Sequence, residues 1–241
     1  MSLIDNSFFN TVLYKPLFNA LVLLYQYLPG HDFGIAVIAL TVFIRLLLHP
    51  LMMKSIRSQK ALSELQPKIQ EIQKNFKEDK QKQAEEMMLL YKEEKINPFA
   101  GILPLFIQLP LLIALYRVFG SGFQTIETTT LYSFVSHPGA INPTFLGLIN
   151  LSQASIFLAI FAGITQFFQT KMLSFKPPKA KDKSSMARFS GILQKQMLYF
   201  FPLFTVFILW KLPSAIALYW IVTSLFSIGQ QRLLKNHANP K

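Results

Sequence analysis

From Phe33 to Met53 the chain runs through an apolar stretch broken by only two ionisable residues, Arg45 and His49. In a bilayer every backbone N–H and C=O must find its partner within the segment or in a closed barrel, so such a stretch is restricted to a helix. A crossing helix needs about 20 mostly apolar residues. Four further segments approach that requirement. They are Pro98 to Phe119 with Gln108 inside it, a third within Phe145 to Phe168, Met197 to Trp210, and Leu212 to Ile228. The fourth is short for a full bilayer at roughly 1.5 Å per residue, unless flanking residues join it or the membrane thins. A tight Lys211-Leu212-Pro213-Ser214 turn makes a hairpin of the last two. The composition agrees, with 51% hydrophobic residues and a mean hydropathy of +0.34.

The charge, +12 at pH 7, would point to nucleic acid in a soluble protein, so its placement decides its meaning. Residues 50–97 carry ten Lys and Arg, residues 171–196 carry seven, and the tail after Ile228 carries three. The first 32 residues have only Lys15, and the loop 120–150 has none. Basic residues in short loops mark the cytoplasmic face. The expectation is an outside N-terminus, a cytoplasmic C-terminus, and basic loops lying against anionic lipid rather than nucleic acid. The chain has no cysteine, so disulfides, thiol nucleophiles and a lipoprotein anchor are not expected.

Ahead of the first span, Leu13, Leu17, Leu21, Leu24 and Leu28 recur at helical spacing among Lys15, Asn19 and Gln26. Pro16 suits a helix start and Pro29-Gly30 a stop. This reads as an interfacial amphipathic helix on the outer face, with a cleaved signal sequence or a sixth span as its competitors.

Between the first two spans, Leu62, Leu65, Ile69, Ile72 and Phe76 line one helical face, and Ala84, Met87 or Met88, and Tyr91 line another after the polar tip around Lys77-Glu78-Asp79-Lys80. Two helices folded back as an antiparallel coiled-coil hairpin follow, with Pro67 kinking the first or beginning a new one. Charged helices of this kind are often plain connectors. A basic, methionine-containing arm could equally contact ribosomes, targeting factors or emerging chains, and Lys74, Lys77, Asp79, Lys80 and Lys82 at its tip are the candidate recruitment residues.

The fold class expected is all-α: a polytopic membrane protein with five transmembrane helices, an outer interfacial amphipathic helix and a cytoplasmic antiparallel helical hairpin. The expected divisions are the amphipathic helix at 1–32, transmembrane helices at 33–56, 96–119, 151–172, 196–211 and 212–231, and the hairpin at 57–95. The outer loop takes 120–150, a basic cytoplasmic loop 173–195, and a basic tail 232–241.

Charge at membrane depth costs a few kcal/mol or more, and such residues usually face a water-filled cavity or a partner. Arg45 lies about eight residues, roughly 12 Å, from the inner end of its expected span, so its side chain could snorkel part of the way. No carboxylate falls in any span: the acidic residues are Asp5, Asp32, Glu127, Asp182 and eight in the hairpin region. The favoured reading is a hydrated cavity open to the cytoplasm with Arg45 as its fixed positive charge. Thr41, Gln108, Gln166, Gln169 and Thr223 are candidates for its lining, although a glutamine in a span can also tie two helices together. Enzyme readings find little support. The spans lack the paired carboxylates of an intramembrane aspartyl protease, a His49–Ser224 dyad has no nucleophile motif around it, and no phosphate loop or metal-ligand cluster appears. No cofactor is expected.

Several motifs resemble one family. They are Tyr14-Lys15-Pro16-Leu17, the stretch Thr41 to Pro50, Leu65-Gln66-Pro67-Lys68-Ile69, Asn97-Pro98 with Leu103-Pro104, and Gln108-Leu109-Pro110. Phe145-Leu146-Gly147, Ile164-Thr165-Gln166-Phe167 and the run from Leu212-Pro213 through Leu218-Tyr219-Trp220 to Gln230-Gln231 extend the match. In order and spacing the chain resembles the YidC family of membrane protein insertases, in its short five-span form. The resemblance implies Sec-independent insertion and folding of membrane proteins through a groove open to cytoplasm and lipid. It gives Arg45 the task of attracting acidic residues of a client's translocated tail, places Gln166 and Trp220 in the groove, and gives the hairpin a part in recruitment. The chain departs from the family pattern at Ala159 and Ala215, where proline and glycine are common.

The expected protein is therefore an energy-independent insertase and chaperone of a bacterial inner or plasma membrane, active as a monomer on nascent membrane protein clients. Anionic lipid is a further partner; the ribosome, the signal recognition particle pathway and the Sec translocon are candidate ones. The alternative is a channel or small-solute transporter.

Overall fold

A computed structural model describes residues 7–97, 103–122, 130–173 and 196–237. Most of the basic loop at 173–195, the last residues of the tail and the Pro98 end of the Asn97-Pro98 motif lie outside the described residues. Helix α1 (Ser7–Tyr27) includes a π-type turn at Asn10–Tyr14. It is followed by α2 (Phe33–Leu47), α3 (His49–Glu64), α4 (Gln66–Asn75), α5 (Lys80–Glu93), α6 (Leu103–Gly122) and α7 (Ile156–Leu173). A π-type turn at Gln196–Phe200 leads into α8 (Phe201–Leu209), and α9 (Ser214–His237) closes the chain. The loop between α6 and α7 holds two strands that composition did not suggest, β1 (Thr144–Phe145) and β2 (Ile149–Asn150), paired antiparallel.

The chain is mostly helical. By length and composition one helix, α1, is long and apolar enough to cross a membrane, and α2 with residues 49–62 forms a second candidate bent by 66°. The apolar helices 106–120, 156–172 and 198–209 are shorter. The bend falls at Leu48, between Leu47 and the His49-Pro50 pair. Pro50 stands in the first turn of α3, and without an N–H it cannot continue the hydrogen-bond ladder of α2, so a straight helix does not run on to residue 56.

One core joins α1, α2, α6, α7 and α9, with Phe18, Val22, Phe33, Val37, Leu115, Phe119, Ile216 and Tyr219 among its buried residues. Helix α9 packs against α7 and α2, and α8 against α7. Gly163 makes that last approach possible, because a Cβ there would overlap Val206 on α8. The buried face of α1 is centred on Phe18, Val22 and Tyr25 rather than on the leucine stripe, of which only Leu21 is fully buried. Asn19 belongs to this buried face. It accepts from the Tyr132 N–H at 2.8 Å and donates to Thr130 O at 3.0 Å, stitching α1 to the loop.

The same loop seals the start of α9. Ser214 N–H donates to Gln153 O and Ala215 N–H to Leu151 O, at 2.9 and 3.1 Å, which satisfies donors that a helix start leaves open.

A smaller cluster of Leu65, Ile69 and Leu90, flanked by Ile72, Met87 and Tyr91, packs α4 and α5 together. Pro67 stands in the first turn of α4, where its missing N–H costs nothing. Ala84, expected on the packed face of α5, is exposed; Gln83 is buried instead, its amide donating to Gln73 O at 3.1 Å. Met87 and Tyr91 keep their expected places beside the cluster, so the difference is confined to the first turn of α5.

Candidate functional site

Arg45 is 6% exposed and sits in the last turn of α2, two residues from its end. The sequence placed it about eight residues inside a longer span; the bend at Leu48 shortens that distance. Its Nε donates to Thr223 Oγ1 at 3.4 Å and its Nη2 to Gln108 Oε1 at 3.3 Å. Arg45, for which the sequence offers no carboxylate within a span, thus has two hydrogen-bond partners, one on α9 and one on α6. Both are neutral, and no described carboxylate forms an ion pair with it.

Gln108 is itself held, since its Nε2 donates to the Tyr219 hydroxyl at 2.7 Å. Tyr219 is 1% exposed and stands one turn before Thr223 on α9. Arg45, Gln108, Tyr219 and Thr223 therefore form one hydrogen-bonded cluster linking α2, α6 and α9. Tyr219 is a site residue that the sequence pattern alone does not single out. Its signal was available: a tyrosine in an apolar span needs a partner for its hydroxyl.

The other lining candidates separate from this cluster. Thr41, one turn before Arg45 and buried, gives its hydroxyl to Val37 O at 2.6 Å on its own helix. Trp220 Nε1 donates to Gln166 Oε1 at 3.1 Å, joining α9 to α7 on a second line. Gln169 is half-buried and forms no hydrogen bond with the Arg45 cluster among the described residues.

Below Arg45 the inner face of α9 remains polar through Ser224, Ser227, Gln230 and Gln231, all buried. Gln230 Nε2 lies 2.6 Å from His49 Nδ1, so the α2–α3 bend is tied to α9. His49 is thereby engaged away from Ser224, whose Oγ has no partner among the described residues, and no His–Ser dyad forms. Gln231 likewise leaves both side-chain polar atoms without a described partner. Buried polar atoms of this sort ordinarily meet water.

The outward faces of the helices carry many large exposed apolar side chains. Phe106 on α6, Phe157 on α7 and Leu203 on α8 are 70%, 73% and 70% exposed, with Ile113, Phe161, Phe168, Phe204 and Phe207 also exposed.

On the hairpin, Lys74, Lys77, Asp79, Lys80 and Lys82 are all exposed. Asp79 caps α5 by accepting the Lys82 N–H at 2.9 Å, and Lys80 reaches Gln83 Oε1 at 3.4 Å. An open hollow of about 780 Å³ lies along α5, bounded by Met88, Leu89, Tyr91, Lys92 and Ile96. Among the described residues no group of three or more His, Asp and Glu is placed to hold a metal.

Comparison with known proteins gives a match to the family model described as 60Kd inner membrane protein over residues 23–241. A protein of Clostridium tetani named membrane protein insertase YidC is 36% identical over 209 residues, covering 86% of this chain and 83% of that protein. Membrane protein insertase YidC 2 of Listeria innocua is 34% identical over 211 residues, covering 86% of this chain and 65% of that protein. The Haemophilus influenzae protein of the same insertase name is 34% identical over 221 residues, and this chain spans only 36% of its length.

Proposed function

The chain belongs to the 60Kd inner membrane protein family, and from that premise we propose that it is a membrane protein insertase and chaperone. Client transmembrane segments enter the bilayer through a hydrated groove that opens to the cytoplasm and carries the charge of Arg45. The observation that carries this reading is the setting of Arg45: a guanidinium 6% exposed, held only by neutral oxygens among the described residues. Such a charge is costly at membrane depth unless water or a partner meets it. The buried polar track of Ser224, Ser227, Gln230 and Gln231 leads from it along α9, and unpartnered atoms on that track support water there.

In this reading α2, α6, α7, α8 and α9 are the five spans, with the hairpin and C-terminus cytoplasmic and the loop 130–155 outside. Helix α1 lies at the outer interface, consistent with its docking on that loop through Asn19. The exposed phenylalanines and leucines of α6, α7 and α8 then face lipid. Short helices suit the mechanism, because a thin, partly hydrated membrane lowers the cost of bringing polar client segments across. Client segments exchange bulk water for groove water, and acidic residues in the translocated tail are drawn by Arg45. The exposed lysines and the apolar hollow of the hairpin receive the client or its delivery factors, with ribosome, signal recognition particle pathway and Sec translocon as the candidates.

The test is insertion into vesicles containing the purified protein. Arg45→Ala is expected to impair clients with acidic translocated tails, while Arg45→Lys largely retains them, because charge rather than forked geometry is required. Full activity of the alanine variant on every client, at equal protein level, would sink the mechanism.

A further inference from the structure

We infer that Gln108 sets the client specificity of the site by remaining neutral: it positions Arg45 without consuming its charge. The inference rests on the groove reading above. Arginine can only donate hydrogen bonds, so the Gln108 amide must turn its oxygen to Nη2 and its NH2 to the Tyr219 oxygen, as found at 3.3 and 2.7 Å. Tyr219 thereby accepts, fixing the orientation of Gln108 from a position 1% exposed. On the other side Thr223 accepts from Nε, so the guanidinium is gripped from two helices by neutral groups.

A glutamate of the same length would fit this place better by local criteria. Its carboxylate would accept from Arg45, and the Tyr219 hydroxyl could rotate to donate to it. The guanidinium already makes its bond to Gln108 charge-assisted, and a carboxylate there would add the direct attraction of opposite charges in contact. The resulting internal ion pair would nevertheless occupy the positive charge that an acidic client tail must reach. Gln108 is thus a specificity-determining residue and Tyr219 a positioning residue acting through it.

The experiment uses the full chain in vesicles and two clients identical except for Asp and Glu against Asn and Gln in the translocated tail. The readout is the ratio of acidic-tail to amide-tail insertion. Gln108→Glu is expected to raise the thermal unfolding midpoint and to lower this ratio about tenfold, the lower range for coupling between close charges. Gln108→Met, neutral but without the oxygen, is expected to lower the midpoint and keep the preference for the acidic tail. Tyr219→Phe, which acts through Gln108 and adds no charge, is expected to change the ratio no more than Gln108→Met does. A Gln108→Glu protein that retains the wild-type ratio or unfolds at a lower temperature overturns the inference, as does equal collapse of the ratio in Gln108→Met. An unchanged ratio in Arg45→Ala would instead overturn the groove reading itself.

Discussion

Asp32 holds the backbone of Leu146 across more than a hundred residues of sequence: one carboxylate oxygen accepts the Leu146 N–H at 2.5 Å while the other accepts the Ile35 N–H at 2.9 Å. The second bond caps the start of α2, and the first fixes a turn in which Leu146 and Gly147 take positive φ of 52° and 69°. One side chain therefore sets both where the arginine-bearing helix begins and where the loop lies on it. Asp32→Ala should cost about 1–2 kcal/mol, the scale of a lost cap. Asp32→Asn should recover part of this, since an amide oxygen can still cap but its NH2 cannot accept from Leu146. Thermal unfolding in detergent of the two variants checks the order; equal losses would show that the cap contributes nothing and that the loop contact carries the whole effect.

Two residues further on, Gly34 meets the ring of Phe145, which occupies the space a Cβ would take. Gly34→Ala should destabilise by about 1–3 kcal/mol through overpacking, and Phe145→Ala should relieve the added methyl. A double-mutant cycle measures this. Additive losses would mean that the methyl is accommodated by a shift of backbone rather than of Phe145.

The sequence made the long helices legible because apolar blocks and proline positions are local signals. Helices α6, α7 and α9 overlap the apolar blocks of the sequence, and the chain restarts a helix at Pro67 as that residue requires. The 66° bend at Leu48 shortens α2 and brings Arg45 to its end; its signal, Pro50, is local, and only its size is not. Two things were not legible, each because a distant partner decides them. The Arg45 cluster depends on Gln108 and Thr223, which are 63 and 178 residues away. The strand pair Thr144–Asn150 is too short for a periodic signal and is held by Asp32 and α9. Of the lining candidates, Gln108 and Thr223 meet Arg45, Gln166 and Trp220 meet each other, and Thr41 turns to its own backbone.

The hairpin carries its own pH limit. Lys68 donates to Glu94 at 2.5 Å, and that bond holds its ammonium above the ordinary 10.5; burial holds the Tyr91 phenol above 10.0. Both groups have folded values above their unfolded ones, so the stability each adds is complete below about pH 10 and is lost as pH rises through the folded values. The α4–α5 packing should therefore loosen in alkali, with Tyr91→Phe shifting the transition upward and Lys68→Gln removing one component. The chain has no cysteine, so Met88→Cys offers a unique site for a fluorescent label on α5. A label signal unchanged up to pH 12 would remove both groups from the account.

Helix α1 depends on Arg117. Its Nη1 donates to Asn10 Oδ1 at 2.6 Å, and the guanidinium stands 4.8 Å from the centre of the Tyr14 ring, so hydrogen bond and cation–π contact both pull α1 onto α6. Arg117→Ala removes both and should speed amide hydrogen exchange in the first two turns of α1 by about tenfold, the effect expected for roughly 1.4 kcal/mol of local stability. Arg117→Lys should fall between, because ammonium keeps the charge over the ring but loses the planar fork. Residues 18–25 should be less affected, since Phe18, Val22 and Tyr25 are packed in the core and Asn19 is tied to the loop. Exchange that rose equally along α1 and α2 would mean that Arg117 supports the whole bundle, and the early turns would then have no separate hold.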